Sequence, residues 1–352
     1  MPPRRLVGWG ILRAVPSHID ADLPDWASLA GSHSFSTLLL GNGFSQNMWP
    51  AFGYSSLKSC AAISARSEDV FSAIGTTNFE EVLRRLAQAR VVLKAVGKKT
   101  KYLRKIYKDV RSGLFGAIGT SHLQHGDLSH NAAILVAKHL NTYDRVFTLN
   151  YDLLLYWSHM LALSGGANVN IGDFMWASDM FDPDDTDLFS GRTGIYYLHG
   201  GLHLWQDRTT GDVGKWRHDG LDILTQARRT YTIASHKQPL FVSEGASTSK
   251  LSAIRGSEYL SFAYGALEDD EKDSIVFGTE LAPQYDEHIA RALDRGGPRT
   301  IAFSVYRGTR TTEEVVTVKA TLNERFRRHR LLYFDSATHP LGDPSLRVSG
   351  RP

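Results

Sequence analysis

Several polar residues stand where apolar runs stop. Asn150 and Asp152 follow Arg145-Val146-Phe147-Thr148-Leu149, and His199 follows Ile195-Tyr196-Tyr197-Leu198. A plain strand-to-helix turn needs only turn-forming residues, so an amide and an imidazole at two such ends exceed the structural requirement. Unperturbed imidazole titrates at about pH 6.5, which suits it to proton transfer near neutral pH. A third run, Ser36-Thr37-Leu38-Leu39-Leu40, breaks into Gly41-Asn42-Gly43-Phe44-Ser45. A buried strand ending in a glycine-rich turn is how a nucleotide-binding sheet commonly begins. The full G-x-G-x-x-G pattern is absent, because Gln46 occupies the last glycine position. Further runs end at Gly278-Thr279, at Ser304 and at Asp335.

The elements that must position these residues follow from the hydrophobic pattern. The last third alternates: strands at 274–277, 300–305 and 331–334, helices at 285–293 and 312–327. Strands alternating with helices imply a parallel sheet, whose ligands bind at the carboxyl ends of the strands. Helices are expected at 153–163 and about 251–267, with a strand at 240–245 between them and Glu244 at its end as a second carboxylate candidate, a capping or surface role being its rival. From about 52 to 140 the chain reads as helical. Phe79, Val82, Leu83, Leu86 and Leu93 recur at helical spacing, with Thr76 or Thr77 as the expected cap before Glu80 and Glu81. The reading is an α/β protein: a Rossmann-like parallel sheet with a mostly helical insertion at about 50–142. Its expected boundaries are an N-terminal extension over 1–35, the domain at 36–336 and a tail over 337–352.

Composition narrows the class. With 42% hydrophobic and 22% charged residues in a 352-residue chain, a disordered or fibrous protein is excluded. Net charge is only +3, but residues 84–111 hold eleven Lys or Arg against Asp109 alone. That segment is a solvated helical face or a docking surface for a partner. Cys60 is the single cysteine, so neither an internal disulfide nor a Cys-x-x-Cys zinc site can form, and a cytoplasmic setting is expected. No apolar segment reaches the ~20 residues of a membrane helix. Asp182, Asp184, Asp185 and Asp187 crowd together without the glycine and glutamate of a calcium loop, and no metal site is expected.

The order Gly41-Asn42-Gly43-Phe44-Ser45, Thr148-Leu149-Asn150-Tyr151-Asp152, Leu198-His199-Gly200, Phe277-Gly278-Thr279 resembles the sirtuin-like NAD-binding domains. Those carry a Gly-Ala-Gly-x-Ser turn, a Thr-x-Asn-x-Asp motif, a His-Gly and a late Gly-Thr or Gly-Ser in the same order. The likeness spans about residues 36–335 and looks closest to a bacterial zinc-free branch, similar to NAD hydrolases of anti-phage defence. The four zinc-binding cysteines and the Pro-Asp-Phe-Arg loop of deacetylating sirtuins are missing here. Cleavage of NAD itself is then the simpler inheritance.

The resemblance implies NAD as substrate and a catalytic set of Asn150, His199 and Asp152. Asn150 would orient the ribose hydroxyls or a water, His199 would act as base, and Asp152 would sit by the nicotinamide carboxamide. Gly41, Asn42, Gly43, Phe44, Ser45 and Thr148 would line the cofactor side, with backbone N–H groups meeting the pyrophosphate. Gly278, Thr279 and Ser304 would face the adenosine half. The expected reaction is hydrolysis of NAD to nicotinamide and ADP-ribose, serving a regulated, NAD-depleting defence effector. Regulation would come through self-assembly or a partner protein, with 84–111 as the docking surface. The alternatives are a non-catalytic NAD or ADP-ribose binding module and a zinc-free deacylase or ADP-ribosyltransferase.

Overall fold

A computed structural model describes residues 19–176, 178–188, 191–216, 222–232, 235–242 and 245–348. The chain enters through α1 (Trp26–Ala30), forms β1 (Thr37–Leu40), and then runs through helices only: α2 (Asn42–Met48), α3 (Tyr54–Cys60), α4 (Ala65–Ile74), α5 (Phe79–Ala95), α6 (Lys101–Ser121) and α7 (His130–Leu140). It returns as β2 (Arg145–Thr148), α8 (Leu154–Ser164), β3 (Ile171–Gly172) and β4 (Thr193–Tyr197). Next come β5 (Gly200–Asp207), β6 (Val213–Lys215), α9 (Ile223–Thr232) and β7 (Lys237–Phe241). The last part alternates: α10 (Ser247–Arg255), α11 (Glu258–Glu268), β8 (Ser274–Phe277), α12 (Pro283–Arg295), β9 (Thr300–Val305), α13 (Thr312–Arg325) and β10 (Arg330–Asp335).

Seven strands make one parallel sheet in the order β10-β9-β8-β1-β2-β4-β3. The fold class expected from sequence, an α/β protein with a Rossmann-like parallel sheet, is the one observed. The central strands are apolar and buried along their whole length, as a sheet covered on both faces requires. Register then does the positioning. Leu40 lies level with both Thr148 and Phe277, and Thr148 lies level with Tyr197. The residues just beyond β8, β1, β2 and β4 therefore leave the sheet side by side.

A second, antiparallel sheet, β6-β5-β7, is absent from the sequence expectation. The sequence reading starts a strand at Leu240 and runs it to 245 before the next helix, whereas β7 ends at Phe241. That strand pairs with β5, with Gly200 opposite Phe241. The α5 cap also differs: Asn78, not Thr76 or Thr77, accepts from the Glu80 and Glu81 N–H groups, while Thr76 Oγ1 accepts from the Asn78 N–H. Both flanks pack on the sheet. Trp26 lies against Phe334 and His339, and Asn47 donates to the Leu341 and Asp343 carbonyls. Among the described residues no helix is long and apolar enough to cross a membrane.

Candidate functional site

Four adjacent strand ends and the helical layer above them enclose a cavity of about 130 Å³. Its floor is Gly41 and Asn42 after β1, Leu149 to Asp152 after β2, His199 after β4, and Gly278 with Thr279 after β8. These residues, up to 238 positions apart in the chain, meet because parallel strands present their carboxyl ends at one edge.

The turn between β1 and α2 is glycine for a packing reason. A Cβ on Gly43 would lie 2.7 Å from the Gly278 Cα, and Gly278 itself has φ +74°. Two backbones touch there, and the Gly41 and Gly43 N–H groups donate to the Phe277 and Gly278 carbonyls at 2.8 Å each. Those two N–H groups, expected to meet a pyrophosphate, are thus occupied within the protein. Ser304 accepts from the Gly278 N–H at 2.9 Å and Thr148 from the Asn150 N–H at 3.1 Å, so both shape strand ends from behind. Phe44 is buried in the core.

Asn150 is held by its amide nitrogen. Nδ2 donates to the Gly41 carbonyl at 3.0 Å and to Ser45 Oγ at 2.9 Å, and Ser45 in turn donates to Asp152 Oδ2 at 2.5 Å. Asp152 Oδ1 accepts from the Leu154 N–H, so it also anchors the start of α8. Burial raises the Asp152 carboxyl above its ordinary range, with the Ser45 hydroxyl opposing. With Nδ2 committed, the Asn150 side chain faces the cavity with an oxygen that takes part in none of these bonds.

His199 is locked as a neutral ring. Burial pushes its pKa well below the usual value, nearby Lys250 adds to this, and the Leu149 carbonyl opposes by taking a ring N–H. Its Nε2 lies 3.1 Å from His288 Nε2, and His288 Nδ1 lies 3.0 Å from Ser247 Oγ. A carbonyl only accepts, so the His199 proton faces Leu149 and Nε2 must accept from His288. Ser247 O–H then completes the chain by donating to His288 Nδ1. Burial takes His288 down to about 2, with His199 and Lys250 contributing. The lone pair expected to draw a proton from water is therefore engaged by His288.

The opposite wall was not among the residues singled out from sequence. Lys250, 1% exposed, sits 3.2 Å from both Glu80 Oε1 and Asp286 Oδ1. Burial lowers the lysine pKa, but the two carboxylates outweigh it and hold the ammonium above its ordinary value. Glu80 arrives from the first turn of α5, where Asn78 caps the helix. Asp286 arrives from a break inside α12, where its φ and ψ are −123° and 24°. The only sequence signal for this wall was Glu80 in a helix start; nothing local marks Lys250 or Asp286 as neighbours. Phe52, Tyr54, Leu57 and Ile118 supply the apolar remainder. Glu244 lies outside the described residues. Among the described residues no group of three metal-ligating side chains comes together.

The arrangement is an open parallel α/β sheet with one polar pocket across its central strand ends. The chain belongs to the DUF4917 family, a domain of unknown function, whose profile matches residues 38–340. That span takes in all of the sheet but Thr37 at the start of β1, and every residue of the pocket. A comparison with curated proteins gives no match.

Proposed function

We propose that this pocket binds NAD and hydrolyses it to nicotinamide and ADP-ribose. The observation that carries the reading is the meeting of Asn150, His199, Asp152 and Gly278-Thr279 with Gly41-Asn42 on one cavity at adjacent strand ends. Breaking the bond between nicotinamide and ribose passes through an oxocarbenium-like centre, and the leaving group is already cationic, so no general acid is needed. The chemistry asks for a dry pocket, oriented hydroxyls and a nearby negative charge. Asn150 supplies the orienting oxygen. Glu80 and Asp286, two carboxylates against the single ammonium of Lys250, make the wall suited to a cationic centre.

On this reading the chain is a regulated, NAD-depleting effector of the kind found in bacterial anti-phage defence, acting in the cytoplasm. The basic α5–α6 hairpin, with Val91, Val92, Val96 and Tyr102 exposed, is where a partner protein or second copy would control it. The neutral, hydrogen-bonded state of His199 favours one alternative, a binding module that holds NAD without cleaving it. Product chromatography of NAD incubated with wild type and Asn150→Ala separates the two. The hydrolase releases nicotinamide and ADP-ribose in wild type only. NAD bound by wild type and recovered intact establishes the module, and neither binding nor release refutes both.

A further inference from the structure

Resting on the NAD hydrolase reading, we infer that Glu80, carried on the helical layer, is the general base that takes a proton from the attacking water. Lys250 and Asp286 act as positioning residues.

The argument begins with what the other polar groups cannot do. His199 Nε2 accepts from His288, and Asp152 has Oδ2 on Ser45 and Oδ1 on the Leu154 N–H. Asn150 is an amide and takes no proton. Two carboxylates remain on the cavity wall, and each uses one oxygen to accept from Lys250. Among the described residues the second oxygen of each has no hydrogen bond, and it belongs to a side chain that is not fully enclosed, Glu80 being 16% and Asp286 17% exposed. A base must offer a lone pair toward the reacting centre, and these offer one.

Their surroundings separate the two. Asp286 faces a second cation, Arg325, and the His288 ring as well as Lys250. Glu80 faces Lys250, Asp286, Tyr54, Tyr151 and Tyr285, of which Lys250 alone is cationic. Burial and the Asp286 charge raise the Glu80 carboxyl, while Lys250 restrains that rise. Glu80 thus has one cation beside it where Asp286 has two, and the Lys250 ammonium fixes its direction.

The step balances with water as the only co-reactant. The water oxygen bonds to C1′ of the nicotinamide ribose, and one water proton passes to the free Glu80 oxygen. The C1′–N bond breaks with its electron pair leaving on nicotinamide, which departs neutral. Glu80 then returns the proton to solvent.

The test is nicotinamide release and NAD binding by wild type, Asn150→Ala, Glu80→Gln, Glu80→Ala, Asp286→Asn and Lys250→Met. Glu80→Gln is expected to lower kcat at least ~100-fold, the lower end of what general-base catalysis supplies, with Kd for NAD within about threefold of wild type. Azide, a nucleophile that needs no base, should restore nicotinamide release to Glu80→Ala and leave ribosyl azide as product. Lys250→Met should lower turnover and move the acidic limb of the pH profile upward, because the ammonium that orients Glu80 and restrains the rise of its carboxyl is gone. Turnover by Glu80→Gln within tenfold of wild type, or no azide rescue of a Glu80→Ala protein that still binds NAD, overturns the assignment while the hydrolase stands. Asp286→Asn as the more damaging variant overturns it equally. Wild type that binds NAD without releasing nicotinamide removes the hydrolase reading and this assignment together.

Discussion

Acidification should unfold this protein at a pH where most carboxylates are still ionised. Among the described residues seven histidines are buried; His329 is paired with Asp294, and the other six are His122, His159, His199, His203, His288 and His339. Burial lowers His122 and His159 to about 4, His203 to about 3 and His288 to about 2, and takes His199 and His339 well below the ordinary value. A depressed folded pKa means that the unfolded chain binds the proton first. The stability these groups contribute is complete above the unfolded value of about 6.5 and is lost as pH falls below it. At pH 5.5 each such group costs about 1.4 kcal/mol, so the six together approach ~8 kcal/mol. Glu80, Asp152 and Asp270, whose carboxyls are raised, act in the opposite sense as pH falls and offset part of it. Half of that sum already rivals the low end of the ~5–15 kcal/mol by which native proteins exceed their unfolded state. Circular dichroism and tryptophan fluorescence followed from pH 8 to pH 4 should show cooperative unfolding between about pH 5 and 6, well above acid denaturation driven by carboxylates alone. Among the described residues His203 has no hydrogen bond at either ring nitrogen, and it stacks on Tyr156 at 4.5 Å, so His203→Phe should lower the midpoint by about 0.2 pH unit. A native signal that persists to pH 4.5, or imidazole resonances of these residues titrating near 6.5 in the folded protein, would refute the reasoning.

Three further outcomes follow from the site. Ser45→Ala removes the hydroxyl joining Asn150 to Asp152 and should cost about 2–4 kcal/mol, one charge-assisted and one neutral hydrogen bond. For 352 residues that is a fall of about 3–5 °C in melting temperature, and a fall under 1 °C would show the relay to be energetically idle. Gly43→Ala places a methyl 2.7 Å from the Gly278 Cα, where backbone has to move. Its melting temperature should drop by more than that of Ser45→Ala, and equal melting would contradict the close approach. Lys250→Met strands two partly buried carboxylates and should cost about 3 kcal/mol at neutral pH, the low end for a broken buried pair. Without the ammonium, Glu80, which burial already raises, favours protonation in the folded state, so the deficit measured by urea titration should shrink as pH is lowered toward the carboxylate range. A deficit independent of pH would count against the cluster.

The parts of this protein that sequence makes legible are those where one local signal suffices. An apolar run stopping at Gly41, Asn150, His199 or Gly278 is a buried strand meeting its polar end, and all four strands stand where the runs do. The last third is read within two residues because its strands and helices alternate. Local signals fail for the small antiparallel sheet: β5 reads Gly-Gly-Leu-His-Leu-Trp-Gln-Asp, whose alternation is weak, and its pairing with β7 depends on a partner more than 30 residues away. They fail too for the second wall of the cavity. Glu80, Lys250 and Asp286 carry no shared motif, since helices α5, α10 and α12 are brought together by tertiary packing alone. The engagement of His199 by His288, 89 positions on, is invisible for the same reason.

The helices between β1 and β2 look detachable when the chain is drawn as a line, but they supply most of the second side of the cavity, beside Lys250 and Asp286. Phe52, Tyr54, Leu57, Glu80 and Ile118 all come from that span, and the sheet contributes the floor beneath them. Any molecule held in the cavity touches both layers at once. Its binding free energy and the free energy of seating the helices on the sheet are then linked quantities, each raised by the other. A grip on the basic hairpin at the far end of α5 would pull on the same helix that carries Glu80. Occupancy of the cavity, conversely, would be felt as stiffness at that hairpin.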